Sequence, residues 1–220
     1  MSKKNSNATD SRVRTNLLKV CESRLIKFFC RIMPAWVNPD MLTTTGILGS
    51  VIIAVGLAAA TITPYWLLLS VIGFGIQWFG DSLDGRLAYY RGIPRKWYGW
   101  ALDINADWIS TCIIGIGFYI YFTDWKIVAF LFVVAYGGSL ILALLRYKIA
   151  DKYEIDTHLI GPTELRIIIS IFMLAEICFP GVLWKFALVG SLVLMIINFA
   201  DSLKIFKLGD QRDINEKTRA

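Results

Sequence analysis

Histidine is nearly missing from this chain: His158, in a polar stretch between apolar runs, is the only one. A loop residue is its expected role, not a catalyst. Cysteine is scarce too, and Cys21, Cys30, Cys112 and Cys178 show no zinc-type spacing. No disulfide framework is expected, and buried free thiols are. No inverted internal repeat of the kind many transporters carry is visible. The first residues are polar and basic, with no early apolar core and cleavage site, so no cleavable signal peptide is expected. Charged residues make up only 18% of the 220 positions against 56% hydrophobic, which excludes an ordinary soluble domain. The net charge of +6 raises nucleic acid as a partner. The basic residues, however, cluster in loops that alternate with apolar runs, as in membrane proteins, so no nucleic-acid partner is expected.

Several of those runs approach the roughly 20 residues needed to cross a bilayer. The expected architecture is all-α: six transmembrane helices preceded by an N-terminal amphipathic interfacial helix. Residues 1–10 are polar and expected to be disordered. Residues 11–33 repeat Val13, Leu17, Val20, Cys21, Leu25, Phe28, Phe29 and Ile32 at helical spacing, with Arg12, Arg14, Lys19, Glu22, Lys27 and Arg31 between them. Such a helix suits the headgroup layer and anionic lipid. Residues 34–205 form the six-helix domain. Its spans are 40–61, 65–91, 97–122, 125–146, 162–179 and 182–200. Asn38 and Pro39 give the first span an N-cap and a proline start. The chain after Asp201 is a charged tail, with 206–220 its cytoplasmic part.

The cations set the orientation. Those before the first span, Arg86, Arg91, Arg95 and Lys96, Arg146, Lys148, Lys152 and Arg166, and those of the tail fall on one side. Only Lys126 and Lys185 fall on the other. Both termini and the polar stretch 81–107 are therefore expected in the cytoplasm.

That stretch, DSLDGRLAYYRGIPRKWYGWALDINAD, organises the rest. An aspartate at membrane depth costs about 2.5 kcal/mol on insertion scales. Four would repel one another unless a cation neutralised them. Hard divalent cations take oxygen ligands, and Mg²⁺ sits on carboxylates plus substrate phosphates. Asp81 and Asp84 are three apart, Asp103 and Asp107 four apart, so each pair shares one face of its own helix. A turn at Gly92-Ile93-Pro94 folds the two helices antiparallel and lets the carboxylates converge. Gly85 and Ala88 beside the first pair, and Gly99 beside the second, leave room for a ligand.

These residues resemble the signature of the CDP-alcohol phosphatidyltransferases: D-x2-D-G-x2-A-R, eight or nine residues, then G-x3-D-x3-D. Asp81, Asp84, Gly85, Ala88, Gly99, Asp103 and Asp107 match, with a nine-residue spacer; Tyr89 stands where the family has arginine. Arg91 follows two residues later. The stretch Pro34 to Thr43 (PAWVNPDMLT) resembles the family's entry into its first membrane helix, and Gly161 to Arg166 (GPTELR) the start of its fifth. The resemblance implies transfer of a phosphatidyl or related phospho-alcohol group from a CDP-linked donor to an alcohol, releasing CMP. It implies Asp81, Asp84 and Asp103 as metal ligands for Mg²⁺ or Mn²⁺, with two ions expected. It gives Asp107 as the base that deprotonates the acceptor, itself also touching a metal. Asp84, Gly85, Ala88 and Gly99 would form the nucleotide side, and a homodimer is implied.

Arg146, Lys148, Glu164 and Arg166 are weaker candidates for an acceptor or phosphate pocket. Glu164 and Arg166 have a plain alternative as an ion pair capping their helix, and Arg146 and Lys148 as membrane anchors. The leading expectation is a phospholipid-synthesising enzyme using CDP-diacylglycerol and a small alcohol. Candidate acceptors are inositol, inositol phosphate, glycerol phosphate, serine and other polyols. The cations favour a phosphorylated one, inositol phosphate first. The alternative reverses the roles, with CDP-choline or CDP-ethanolamine donating to diacylglycerol. An ion or proton transporter with a carboxylate relay is a distant third.

Overall fold

The computed structural model describes residues 19–150 and 161–219. Among them the chain is helical throughout, with no strand: α1 Lys19–Ile32, α2 Pro39–Ala59, α3 Leu67–Tyr90, α4 Lys96–Tyr121, α5 Lys126–Ala150, α6 Pro162–Cys178 and α7 Val182–Arg219. A single 3₁₀ turn, Pro64–Trp66, leads into α3. The part of the expected first helix over 11–18, and the loop 151–160 with Lys152 and His158, lie outside the described residues.

Among the described residues four helical segments are long and apolar enough to cross a membrane: 39–59, 64–90, 126–149 and 182–218. The other two expected spans exist as helices but fall short of that measure. α6 has 17 residues, and α4 spends its first half on Asp103, Asn105 and Asp107.

Packing runs from α3 to α2, α4, α5, α7 and α6 and back to α3, closing six helices into a ring, with α1 lying on α3. Glycines draw α2 and α3 together. A Cβ on Gly80 would collide with the backbone of Leu42 and Gly46, and one on Gly49 with the backbone of Gln77. The small residues of the first span therefore serve contacts within the subunit. The apolar core holds Ile53, Leu57, Leu67, Phe74, Phe118 and Met173 among others. A second cluster joins Ile26 and Cys30 of α1 to Leu42, Leu83 and Leu87.

Three features depart from the expectations. The last helix does not end near Ala200: α7 continues unbroken through the charged tail to Arg219. It contains no proline, and Arg212 pairs with Glu216 one turn on at 2.9 Å. Arg212 Nη1 also donates to the carbonyls of Lys148 and Ile149, each at 2.9 Å, satisfying the end of α5. Asn38 stands at the N-cap of α2, but its side chain makes no capping bond; its carbonyl accepts from Met41 and Leu42. Finally, Cys21 and Cys178 are exposed thiols, while Cys30 is buried.

Candidate active site

α3 and α4 are joined by a turn in which Gly92 takes a left-handed φ of +69°, a conformation that favours glycine. Aspartates of the two helices meet. Asp81, Asp103 and Asp107 each offer a carboxylate oxygen within 4.8 Å of the other two. All three are half-buried. They line a small cavity between α2, α3 and α4 together with Thr43, Gly46, Gln77, Asp84 and Ser110.

Asp84 borders the same cavity, and both its carboxylate oxygens accept hydrogen bonds. Its Oδ2 accepts the Thr43 hydroxyl at 2.6 Å, and its Oδ1 accepts the Gly85 N–H at 2.5 Å. Thr43 is buried on α2, so this bond ties the motif to the neighbouring helix. Around Gly85 and Gly99 the structure is open: a Cβ on either would meet nothing within 4 Å. Ala88 is half-buried on the same helix as Gly85.

Arg166 comes from the neighbouring α6 to Asp81, Nη2 to Oδ2 at 2.6 Å, with only 12% of its side chain exposed. Glu164 is buried and accepts the Gly161 N–H at 3.1 Å, an arrangement that caps α6. Arg146 pairs with Asp201 of α7 at 3.3 Å, each side chain 12% exposed. Lys148 is exposed near the end of α5.

Arg91 does not stand in for the arginine replaced by Tyr89. Its guanidinium donates to the carbonyls of Met33 at 3.3 Å, Pro34 at 2.7 Å, Ala35 at 3.4 Å and Val37 at 2.5 Å. It closes the α1–α2 connection onto the end of the motif helix. Arg95 is likewise engaged, with Asp40.

The residues missed in the sequence are Thr43, Gln77 and Ser110. Gln77 lies four before Asp81 and Ser110 three after Asp107. Extending each aspartate face by one helical turn finds both.

Three carboxylates around one cavity, with Arg166 engaged at Asp81, form an all-oxygen donor set with excess negative charge. That set fits a hard divalent cation. The family model of the CDP-alcohol phosphatidyltransferases matches residues 36–198. The chain belongs to that family. No curated protein matches it significantly in sequence. Among solved structures it is similar to the phosphatidylinositol phosphate synthase of Mycobacterium tuberculosis in complex with manganese and citrate. There the identity is 21%, the coverage 86% of this chain and 88% of that one, and the TM-score 0.56. The same enzyme with CDP-DAG bound aligns at 21% identity, 86% and 92% coverage and a TM-score of 0.53. At that identity the likeness is one of fold. Family membership makes the chain a metal-dependent phosphatidyltransferase, an integral membrane enzyme of phospholipid biosynthesis. The transporter reading falls with it.

Proposed function

We propose that this transferase moves a phosphatidyl group from CDP-diacylglycerol to a small phosphorylated alcohol, with inositol phosphate the first candidate. The observation that carries the proposal is the meeting of Asp81, Asp103 and Asp107 within 4.8 Å at one cavity. In this reading Asp81, Asp84 and Asp103 hold the metal, and two ions are used. When bound, Mg²⁺ or Mn²⁺ neutralises pyrophosphate charge and makes CMP a better leaving group. Asp107 accepts the proton of the acceptor hydroxyl. The acceptor oxygen forms its bond to the phosphatidyl phosphorus as the bond from that phosphorus to CMP breaks. Gly85, Ala88 and Gly99 give the nucleotide a close approach to the backbone. Arg166 holds Asp81 in place and balances part of the cluster's charge.

The cations favour a phosphate on the acceptor. Arg146 sits one residue before Tyr147, whose ring packs on Trp100 at 5.3 Å, three residues before Asp103. An incoming phosphate would have to displace Asp201 from Arg146, with Lys148 nearby. Glu164 fixes the start of α6, from which Arg166 reaches Asp81.

The membrane arrangement belongs to the same proposal. All six helices from α2 to α7 cross the bilayer, and residues 34–205 form the catalytic domain. Both ends and the aspartates face the cytoplasm. α1 lies in the headgroup layer, with Leu25, Phe28 and Ile32 exposed on it. The enzyme works as a homodimer.

The test is CMP release from CDP-diacylglycerol by the purified protein with Mn²⁺, against a panel of acceptors with and without phosphate. Release with a phosphorylated polyol alone supports the proposal. Release with an uncharged acceptor alone removes the phosphate assignment. Release only from CDP-choline or CDP-ethanolamine with diacylglycerol reverses the donor and acceptor roles.

A further inference from the structure

The cavity extends one helical turn beyond the aspartates, to Gln77 on α3 and Ser110 on α4. Both side chains are buried, at 7% and 6% exposure. Burying a polar group costs free energy unless it finds a partner. Gln77 is only half satisfied. Ser50 Oγ gives its one hydrogen to the Gly46 carbonyl at 3.2 Å, so it can only accept from Gln77, whose Nε2 lies 3.0 Å away. That accounting turns the amide nitrogen toward Ser50. It leaves Gln77 Oε1 as an acceptor with no protein donor among the described residues. The Ser110 hydroxyl also has no protein partner among the described residues. It does not fold back on its own helix, whereas the adjacent Thr111 hydroxyl donates to the Asp107 carbonyl at 2.7 Å.

Gln77 Oε1, a buried acceptor on the cavity that the three carboxylates line, needs a source of hydrogens, whereas the Ser110 hydroxyl carries its own and can both donate and accept. The carboxylates supply none. A hydrated divalent cation does, because water on such an ion donates strongly. We propose that Gln77 and Ser110 form the floor of the metal site, Gln77 Oε1 accepting a hydrogen from water carried by the ion and the Ser110 hydroxyl hydrogen-bonding within the same water layer. The inference rests on the metal-binding reading of Asp81, Asp103 and Asp107. Both are positioning residues: they would act on the ion through its water and would not touch the reacting atoms. Ser50 belongs to the device because it sets which end of the Gln77 amide faces the cavity.

The test titrates the full chain in detergent with Mn²⁺ and follows free Mn²⁺ by electron paramagnetic resonance, with thermal midpoints measured with and without the metal. Partners one layer behind metal ligands change affinity by about 10–100-fold, so Ser110→Ala and Gln77→Leu are each expected to weaken Mn²⁺ binding about tenfold. Ser50→Ala, which frees the amide to turn, is expected to weaken it less. Wild-type affinity in both Ser110→Ala and Gln77→Leu overturns the inference and leaves the proposed function standing. No Mn²⁺ binding by the wild-type chain overturns both. If Gln77→Leu loosens the packing of α2 on α3, its metal-free midpoint falls, and Ser110→Ala, which deletes only a hydroxyl, decides alone.

Discussion

Asp84 shows how one residue's role depends on its neighbour. Its carboxylate takes the Thr43 hydroxyl at 2.6 Å, while the three other aspartates crowd together. The i, i+3 and i, i+4 spacing was enough to put each pair on one face. It was not enough to show that Thr43, from a different helix, bonds one member, because hydrogen bonds between helices leave no periodic trace. Gly85 gives a sharper contrast. An added methyl there meets nothing within 4 Å, so Gly85→Ala, inside α3, is expected to keep or raise the thermal midpoint, since Ala in a helix interior is favoured over Gly by about 0.5–1 kcal/mol. Its KM for the CDP-linked donor should rise, because the methyl enters the space left for the nucleotide. Steady-state kinetics beside a melting curve checks the split. A fall in stability would instead make Gly85 a packing residue. The same logic explains the weaker candidates. Charge and position nominated Arg146, Lys148, Glu164 and Arg166 alike. Only the folded chain shows Arg166 on Asp81, Arg146 on Asp201 and Glu164 on its own helix start.

At the scale of elements, the pairing of α2 with α3 sets the site's floor and the position of Thr43. Gly80→Ala places a methyl on the backbone of Leu42 and Gly46 and should force the helices apart. Overpacking of this kind costs about 1–3 kcal/mol. Gly75→Ala, in open space on the same helix, is the control. Thermal midpoints in detergent compare the two, and an equal effect of both would contradict the seam. Arg91 is the second device at this scale, with its bonds to the carbonyls of the α1–α2 connection. Arg91→Ala should cost about 2 kcal/mol, the scale of hydrogen bonds to a charged group. Arg91→Lys should restore little, since an ammonium lacks the planar fork. Limited proteolysis within residues 33–38 would report the loosened connection. Helix positions were legible in the sequence because apolar runs are bounded by Pro39, Gly92, Pro162 and Gly181. The end of α7 was not, because its charged residues satisfy a solvated helix as well as a coil. The bond from Arg212 to the end of α5 comes from far along the chain.

For the whole molecule, the proposal of six spans puts Cys21 and Cys178 on opposite sides of the bilayer, and both are exposed. A membrane-impermeant maleimide applied to intact cells should therefore label Cys178 alone. After permeabilisation it should label Cys21 as well. Cys30 should stay unlabelled, because burial pushes its thiol up and keeps it protonated. Labelling of Cys21 from outside would invert the orientation. Labelling of both from one side would remove the six-span arrangement. The ring of six helices brings α6 to α3, so a residue 85 positions along the chain, Arg166, can reach Asp81. This closure is what the linear sequence hid, although Asp81 was already expected as a metal ligand and Arg166 as a weaker pocket candidate.

The central claim is that Asp107, among carboxylates holding a divalent cation, takes the acceptor's proton. It is tested most directly by CMP release from CDP-diacylglycerol in four samples: wild type with Mn²⁺, wild type with EDTA, Asp107→Asn with Mn²⁺, and Asp107→Asn with EDTA. A positioned general base contributes about 10²–10⁴-fold, so Asp107→Asn should lose at least about 100-fold in kcat with its helix content unchanged. EDTA should abolish release in the wild type, and readdition of Mn²⁺ should restore it. Release that survives both EDTA and Asp107→Asn would contradict the account.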